Sequence, residues 1–481
     1  MKRALLLAAL ILFSAVIAAG PAAAGDVRIR GDFNNRFMIY TNHADWLHQE
    51  KAVLHDGTVS ESWGEAKYRM WFDAASNGGK IKGIWGFEIG SLEYGKPGSL
   101  GKHLGGSYSG DAVNVETRWL YTDFQLPGAN RRLRVRMGLQ PLNVNSFYWK
   151  ETVMGVKAYG SAGPVDWVAA WLRPVRDPVT DDDRDVEDMD AFYLRANLQS
   201  AGGFKPGFFA VYHHGDSDNR DPAAYATITS QHYEIKKLAN EFDTEILALG
   251  TDGSWTWNNF FARWDFIYET GSIDHANFKL SYNGVDYSDN RGESGARDQD
   301  FELNAWLLHF DLGFKTGAWK FTYTFWYASG DDDPSDDNFD GFMAVDIDRN
   351  DNICLFKATY VDDDAFTEKD YLLDKGFVMN KLAADCRVSK KMTVGAAVMY
   401  MLTAEDIEYG SYGDDEIGWE VDAYFKYRIY DNLEFACNAG YLFTGDAIDF
   451  YERDSHDPAA QPDGDSDENI FVSTARVRYK F

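Results

Sequence analysis

From residue 25 onward the chain repeats one pattern: about ten residues in which apolar and polar side chains alternate, followed in turn by a short break and a long one. Between 418 and 429 one face would carry Trp419, Val421, Ala423, Phe425, Tyr427 and Ile429, and the other Glu420, Asp422, Tyr424, Lys426 and Arg428. The same period groups Trp319, Phe321, Tyr323, Phe325 and Tyr327, and again Phe260, Trp264, Phe266 and Tyr268. Successive strand side chains point to opposite faces, so each run predicts a β-strand with one apolar, aromatic-rich face. Short turns are expected at 76–79, 127–130, 161–164, 200–203, 252–254, 315–317, 389–391 and 430–432, where Gly, Asn, Asp, Ser and Lys cluster. Long loops are expected near 41–61, 95–112, 141–151, 174–190, 214–243, 270–300, 331–370, 405–416 and 446–468. Eight turns and nine loops join eighteen strands; sixteen is the alternative count if the longest loop disguises strands.

Alternation alone also fits a soluble β-sandwich. The charged positions separate the two. Arg132, Arg134 and Arg136 share one face, and an arginine facing lipid at mid-bilayer costs about 2–4 kcal/mol. That face must meet water, while the aromatic faces suit lipid and its two interfaces. The fold expected is therefore an all-β, antiparallel, up-and-down transmembrane barrel, with short periplasmic turns and long extracellular loops. By the same reasoning Arg28, Arg30, Arg36, Arg69, Arg118, Arg428, Arg476 and Arg478 join the three arginines on the inner face. Asp32, Glu88, Asp265, Glu420 and Asp422 supply acids there. Val27, Ile29, Phe33 and Phe37 would face outward on the first strand.

The first 24 residues have a basic start (Lys2, Arg3), an apolar stretch from Ala4 to Ala19 and the small-residue site Ala22, Ala23, Ala24, the three parts of a secretory signal peptide. Residues 25–481 then form one domain. No later apolar run approaches the length of a membrane-spanning helix. The last strand ends in Val477, Tyr479 and Phe481 at alternate positions. That ending resembles the C-terminal signal by which outer-membrane assembly machinery selects its clients.

The net charge of −29 is concentrated in four loops. Residues 331–370 alone hold 14 acids and 3 bases, and 177–190, 405–416 and 446–468 share the bias. Such loops do not bind nucleic acid. They would form an acidic outer vestibule ahead of a lumen wall rich in arginine, or serve as solvated surface. Asp463, Asp465 and Asp467, and separately Asp346 and Asp348, place oxygens at alternate positions and are weak candidates for structural calcium, though neither run has the EF-hand glycine. No other cofactor is expected. Cys354, Cys386 and Cys437 are too few and too scattered for a disulfide framework or zinc site. His213 and His214, at the end of a strand, suit a solvated or interfacial role. The chain lacks GxSxG, HExxH and P-loop patterns, which argues against an enzyme.

Three segments, RVRMGLQP (134–141), YASGDDD (327–333) and RVRYKF (476–481), together with the signal peptide, resemble the homotrimeric outer-membrane porins of sulfate- and metal-reducing deltaproteobacteria. The resemblance implies an outer-membrane location in contact with lipid and lipopolysaccharide, a trimer with one pore per subunit, and passive diffusion of small hydrophilic solutes. A substrate-specific channel for a sugar or anion is the alternative; an adhesin or enzyme barrel is a more distant one. In such porins the loop after strand five often folds into the pore. Here that loop, Pro141 to Glu151, is short for the role, and Arg118, Arg132, Arg134 and Arg136 are the expected wall of the narrow zone.

Overall fold

The computed structural model describes residues 25–42, 60–94, 115–128, 133–176, 188–200, 202–217, 242–276, 281–282, 285–286, 299–332, 337–345, 347, 349, 351–354, 375–409, 412–451 and 469–481. Eighteen long strands follow one another: β1 (Asp26–Thr41), β2 (Ser60–Ser76), β3 (Ile81–Glu93), β4 (Glu116–Gln125), β5 (Arg134–Pro141), β6 (Thr152–Ala162), β7 (Val165–Arg176), β8 (Asp188–Leu198), β9 (Lys205–Ser217), β10 (Phe242–Trp257), β11 (Phe260–Ala276), β12 (Gln299–Thr316), β13 (Trp319–Ala328), β14 (Phe377–Cys386), β15 (Met392–Tyr409), β16 (Tyr412–Tyr430), β17 (Leu433–Thr444) and β18 (Ile470–Lys480). Each pairs antiparallel with its neighbours in sequence, and β1 pairs with β18 from Asp32 opposite Lys480 to Thr41 opposite Phe471. Closure leaves no sheet edge, the condition for strands to cross a membrane.

At the seam, Gly31 and Phe481 exchange backbone hydrogen bonds at 2.9 and 3.1 Å, and the Phe481 ring lies where a side chain on residue 31 would be. Phe33, Tyr479 and Phe481 pack together there, with Phe481 5.5 Å from Phe33 and 5.3 Å from Tyr479 between ring centroids. Val477, Tyr479 and Phe481 all face outward and are exposed.

The outer surface is apolar and carries aromatic pairs at both ends. Trp255 and Trp257, Trp319 and Phe321, and Tyr479 and Phe481 lie toward the short turns. Trp306 and Tyr327, Tyr400 and Trp419, and Tyr441 and Phe443 lie toward the long loops. Trp419 and Tyr430 stand eleven positions apart on β16, roughly 27 Å along the barrel axis at a tilt of about 40°, close to the apolar band of an outer-membrane barrel.

Two expected breaks belong to strands instead. Asp252, Gly253 and Ser254 are inside β10, opposite Asp265, Trp264 and Arg263; the turn comes later, at Asn258, whose φ of 52° is in the left-handed region that Asn tolerates. Residues 405–416 are not a loop either: β15 and β16 continue through most of them, pairing Ile407 with Asp414 and Tyr409 with Tyr412. A bulge at Gly418 (φ 122°) bends β16 and turns Ile417 into the interior.

Candidate permeation pathway

Beside the seam, the wall formed by β18 and β1–β6 presents ionic clusters to the interior. Arg478 and Lys480 meet Asp32. Arg36 binds Glu65 at 2.8 Å. Lys67, Arg69 and Arg118 converge on Glu88, and Arg118 also reaches Glu151 at 3.1 Å. Nearer the turns, Arg134 and Arg136 donate to Asp123 at 2.5 and 3.0 Å, and the Tyr159 hydroxyl joins them at 2.5 Å. Arg30 pairs with Asp73, and Arg476 with Glu434. Arg28 and Arg428 occupy inner-face positions at the turn end, opposite Asp73 and Glu434 in register. Arg132 lies outside the described residues.

Arg118 reaches the interior for a reason that alternation hides. A bulge on β4 pairs Trp119 with Gly86 and Thr117 with Phe87, leaving Arg118 extra. Consecutive residues Arg118 and Trp119 therefore both face inward, while Leu120 faces out.

The opposite wall, β8–β16, is built differently. Toward the long loops its inner positions are apolar and buried: Phe209, Val211, Ile246, Ala248, Phe301, Leu303, Ala305 and Leu307 continue into Trp326, Phe377, Met379, Met399 and Met401. Two loops cover them from inside the bore. The first is 142–151, the segment whose length argued against an inward fold. It closes on itself through Leu142 N–H to Glu151 O (2.7 Å) and Val144 N–H to Trp149 O (2.9 Å). It buries Val144, Phe147, Tyr148 and Trp149. The Asn145 amide donates to Asp265 at 2.7 Å and Asp252 at 3.2 Å, and Arg195 clamps the loop by donating to Val144 O and to Asp252.

The second is a strap within 337–354, part of the loop expected to form an acidic vestibule or a solvated surface. Its apolar residues Phe339, Phe342, Met343, Ala344, Val345, Ile347 and Ile353 are buried. Val345 N–H donates to Tyr148 O at 2.8 Å, joining strap to loop. Carboxylates on two strands of this wall hold its backbone: Glu269 accepts Met343 N–H at 2.8 Å, and Glu420 accepts the amides of Ile353 and Cys354 at 2.8 and 2.9 Å. Arg349 lies 4.1 Å over the Phe147 ring and makes a two-point pair with Asp351 at 2.7 and 2.9 Å. Burial alone would raise the Asp351 carboxyl, but the Arg349 guanidinium and Lys381 outweigh it and hold it below its ordinary value.

Of the residues expected to line an open bore, Arg36 and Glu88 are buried within their ion pairs, and the expectation for Glu420 and Asp422 is corrected. Both point inward, but both are buried, and Glu420 anchors the strap. Burying its charge is compensated by two charge-assisted hydrogen bonds. His213 is corrected too. It is buried against the rings of Tyr148 and Trp149, at 6.0 and 5.4 Å, and neither ring nitrogen has a hydrogen-bond partner among the described residues; of the two histidines only His214 is exposed. Of the calcium candidates, Asp346, Asp348, Asp463, Asp465 and Asp467 lie outside the described residues, as do residues 1–24. Cys354, Cys386 and Cys437 form no disulfide among the described residues.

Beneath the two loops, toward the turns, the wall becomes polar again. A cavity of about 720 Å³ is bordered there by Arg195, Arg263 and Arg349 and by Asp252, Asp265 and Asp311. His309 sits between two of these acids, 2.8 Å from Asp265 and 3.5 Å from Asp311. Among these groups only Asp265 was expected on the inner face. Missed were Asn145, Phe147, Arg195, Asp252, Glu269, His309, Asp311, Arg349 and Asp351. The signal that could have found the loops is compositional: the run Phe147, Tyr148, Trp149 and the run Phe342 to Val345 are too apolar for solvated connections.

Comparison with known proteins supports the architecture. The chain is similar in structure to Pseudomonas aeruginosa OccK8 (OprE), with 11% sequence identity, a TM-score of 0.51 and coverage of 95% of this chain and 98% of that one. It is likewise similar to the outer membrane protein OprD from the same organism, with 9% identity, a TM-score of 0.50 and coverage of 96% and 95%. The shared feature is the fold. No protein-family model and no curated protein matches the sequence. The eighteen-stranded barrel is therefore secure on its own geometry and on these neighbours, and the solute must be argued from the chain's own side chains.

Proposed function

We propose that this protein is an outer-membrane channel through which small hydrophilic solutes and ions diffuse passively, with a bore narrowed by the 142–151 loop and the 337–354 strap. One observation carries the reading: in a closed barrel with an apolar, aromatic-girdled outside, the inner wall keeps a ladder of ion pairs from Asp32 to Glu88 and Asp123. An ionic wall is compatible with a wet lumen and serves no purpose in a barrel filled with apolar core. The covered bore favours a selective channel over a wide general-diffusion pore. The outer-membrane setting implies contact with lipopolysaccharide and assembly through the C-terminal strand, and we include a homotrimer in the proposal, to be checked by cross-linking in native membranes.

Planar-bilayer recording of the full-length protein tests the channel directly. The expected result is ohmic, stepwise conductance, well below that of an unobstructed eighteen-stranded barrel. Absence of conductance from folded, inserted protein would overturn the reading in favour of an adhesin or a sealed barrel.

A further inference from the structure

The ionic wall carries an aromatic feature that a simple ion path does not require. Trp71 on β2 and Trp119 on β4 meet inside the barrel with ring centroids 5.3 Å apart and planes at 28°. Gly86 on β3 lies between them, and a Cβ there would fall 2.7 Å from Trp71 Cδ1 and 3.2 Å from Trp119 Cε3. The glycine makes room for the two indoles to come together. Both are half-buried, and neither indole N–H has a hydrogen-bond partner among the described residues. Toward the turns, Tyr121 carries the Arg136 guanidinium 4.4 Å over its ring, and Tyr159 is 5.6 Å from the same group.

The indole platform thus stands between two hydrogen-bonding clusters on one wall, the Glu88 cluster on the loop side and the Asp123 cluster on the turn side. Girdle placement does not account for these tryptophans, because they face the interior while Phe72, the next residue on β2, and Trp85 on β3 stack outside. A flat apolar surface flanked by fixed donors and acceptors complements a pyranose ring, whose C–H face is apolar and whose hydroxyls project around its edge.

We propose that Trp71 and Trp119 form a sugar-stacking subsite in the bore, taking linear chains of hexopyranose units, with the arginines of the two flanking clusters donating to ring hydroxyls. The subsite rests on the channel reading and narrows its solute class. Guanidinium groups already fixed by Glu88 and Asp123 need little reordering to meet such a ligand, whereas a small inorganic anion gains nothing from the indole faces.

The test is sugar-dependent block of the single-channel current in planar bilayers, with the α-1,4-linked glucose hexamer and the β-1,4-linked glucose tetramer as probes at millimolar concentration. Full-length protein is expected to show reversible block by at least one of them. Trp71→Ala and Trp119→Ala should each raise the half-blocking concentration about five- to tenfold, the scale of one lost aromatic contact. The outward-facing Trp85→Ala serves as control and should not change it. Heat-modifiable migration of each variant reports that the barrel has folded. Conductance without block by either sugar overturns the subsite while leaving the channel intact, and so does block that survives both substitutions unchanged. Absence of conductance is the separate failure of the channel reading.

Discussion

Two walls of one barrel use the same period-two alternation for opposite ends. On β1–β6 the inner positions toward the long loops hold Arg36, Glu65, Lys67 and Glu88, which solve the problem of buried charge by pairing. On β9–β12 the matching inner positions hold Val211, Ile246 and Leu303, which the 142–151 loop and the strap cover. The first wall neutralises its buried charges in pairs, beside buried Met38 and Tyr40; the second would expose apolar surface to water and is covered by the loop and strap. On the proposed function, solutes would pass along the ionic wall and under the strap.

The largest effect that would sharpen this contrast comes from excising the strap, residues 337–354, with a short polar linker in its place. Single-channel current should rise several-fold, and an unchanged current would mean that the covered wall does not restrict the bore. Next, Glu88→Ala leaves Lys67, Arg69 and Arg118 without their shared carboxylate. Reversal potentials in a salt gradient should then shift toward anion preference while current changes little; an unshifted potential would remove the first wall from the path.

How much of this contrast could be read from the chain alone depends on range. Strand number, closure and the inward arginines follow from local alternation and were legible. The β4 bulge was not, because it breaks the period at a single residue, so that Arg118 joins Trp119 inside where the alternation of Trp119, Tyr121 and Asp123 would send it out. Asp252, Gly253 and Ser254 have the composition of a turn, but pairing with Asp265 and Arg263 draws them into β10, a tertiary override of local preference. Net charge hid the strap. The acids of 331–370 dominate its composition and outweigh the short apolar run Phe342 to Val345 that helps decide its position. Glu420 looked like any inward acid, and only the three-dimensional neighbourhood reveals the amides it accepts.

Smaller effects follow from the strap's tethers. Glu420→Ala removes the acceptor of two amides, each worth about 1.5–3 kcal/mol when the acceptor is charged. Current noise and mean open current should rise, though less than on excision; a variant trace as quiet as that of wild type would show that the strap is held elsewhere. The smallest effect is that of acid. The folded Asp351 carboxyl lies below its ordinary value of 3.8, so its pairing with Arg349 contributes in full above that value and is lost as pH falls through the folded one. Strap fluctuations should therefore appear only below about pH 4, and Asp351→Asn should show them at neutral pH. Noise independent of pH in wild type and unchanged in the variant would exclude this tether.

The central claim, that one face of the closed sheet meets hydrocarbon and the other water, is most directly tested on β16. In a variant with Cys354, Cys386 and Cys437 replaced by serine, single cysteines are placed at Ala423, Tyr424, Phe425 and Lys426 and exposed, in lipid bilayers, to a charged, membrane-impermeant thiol reagent. The account predicts labelling and a stepwise loss of current at 424 and 426, with 423 and 425 inert. Equal labelling on both faces, or labelling confined to 423 and 425, would contradict it.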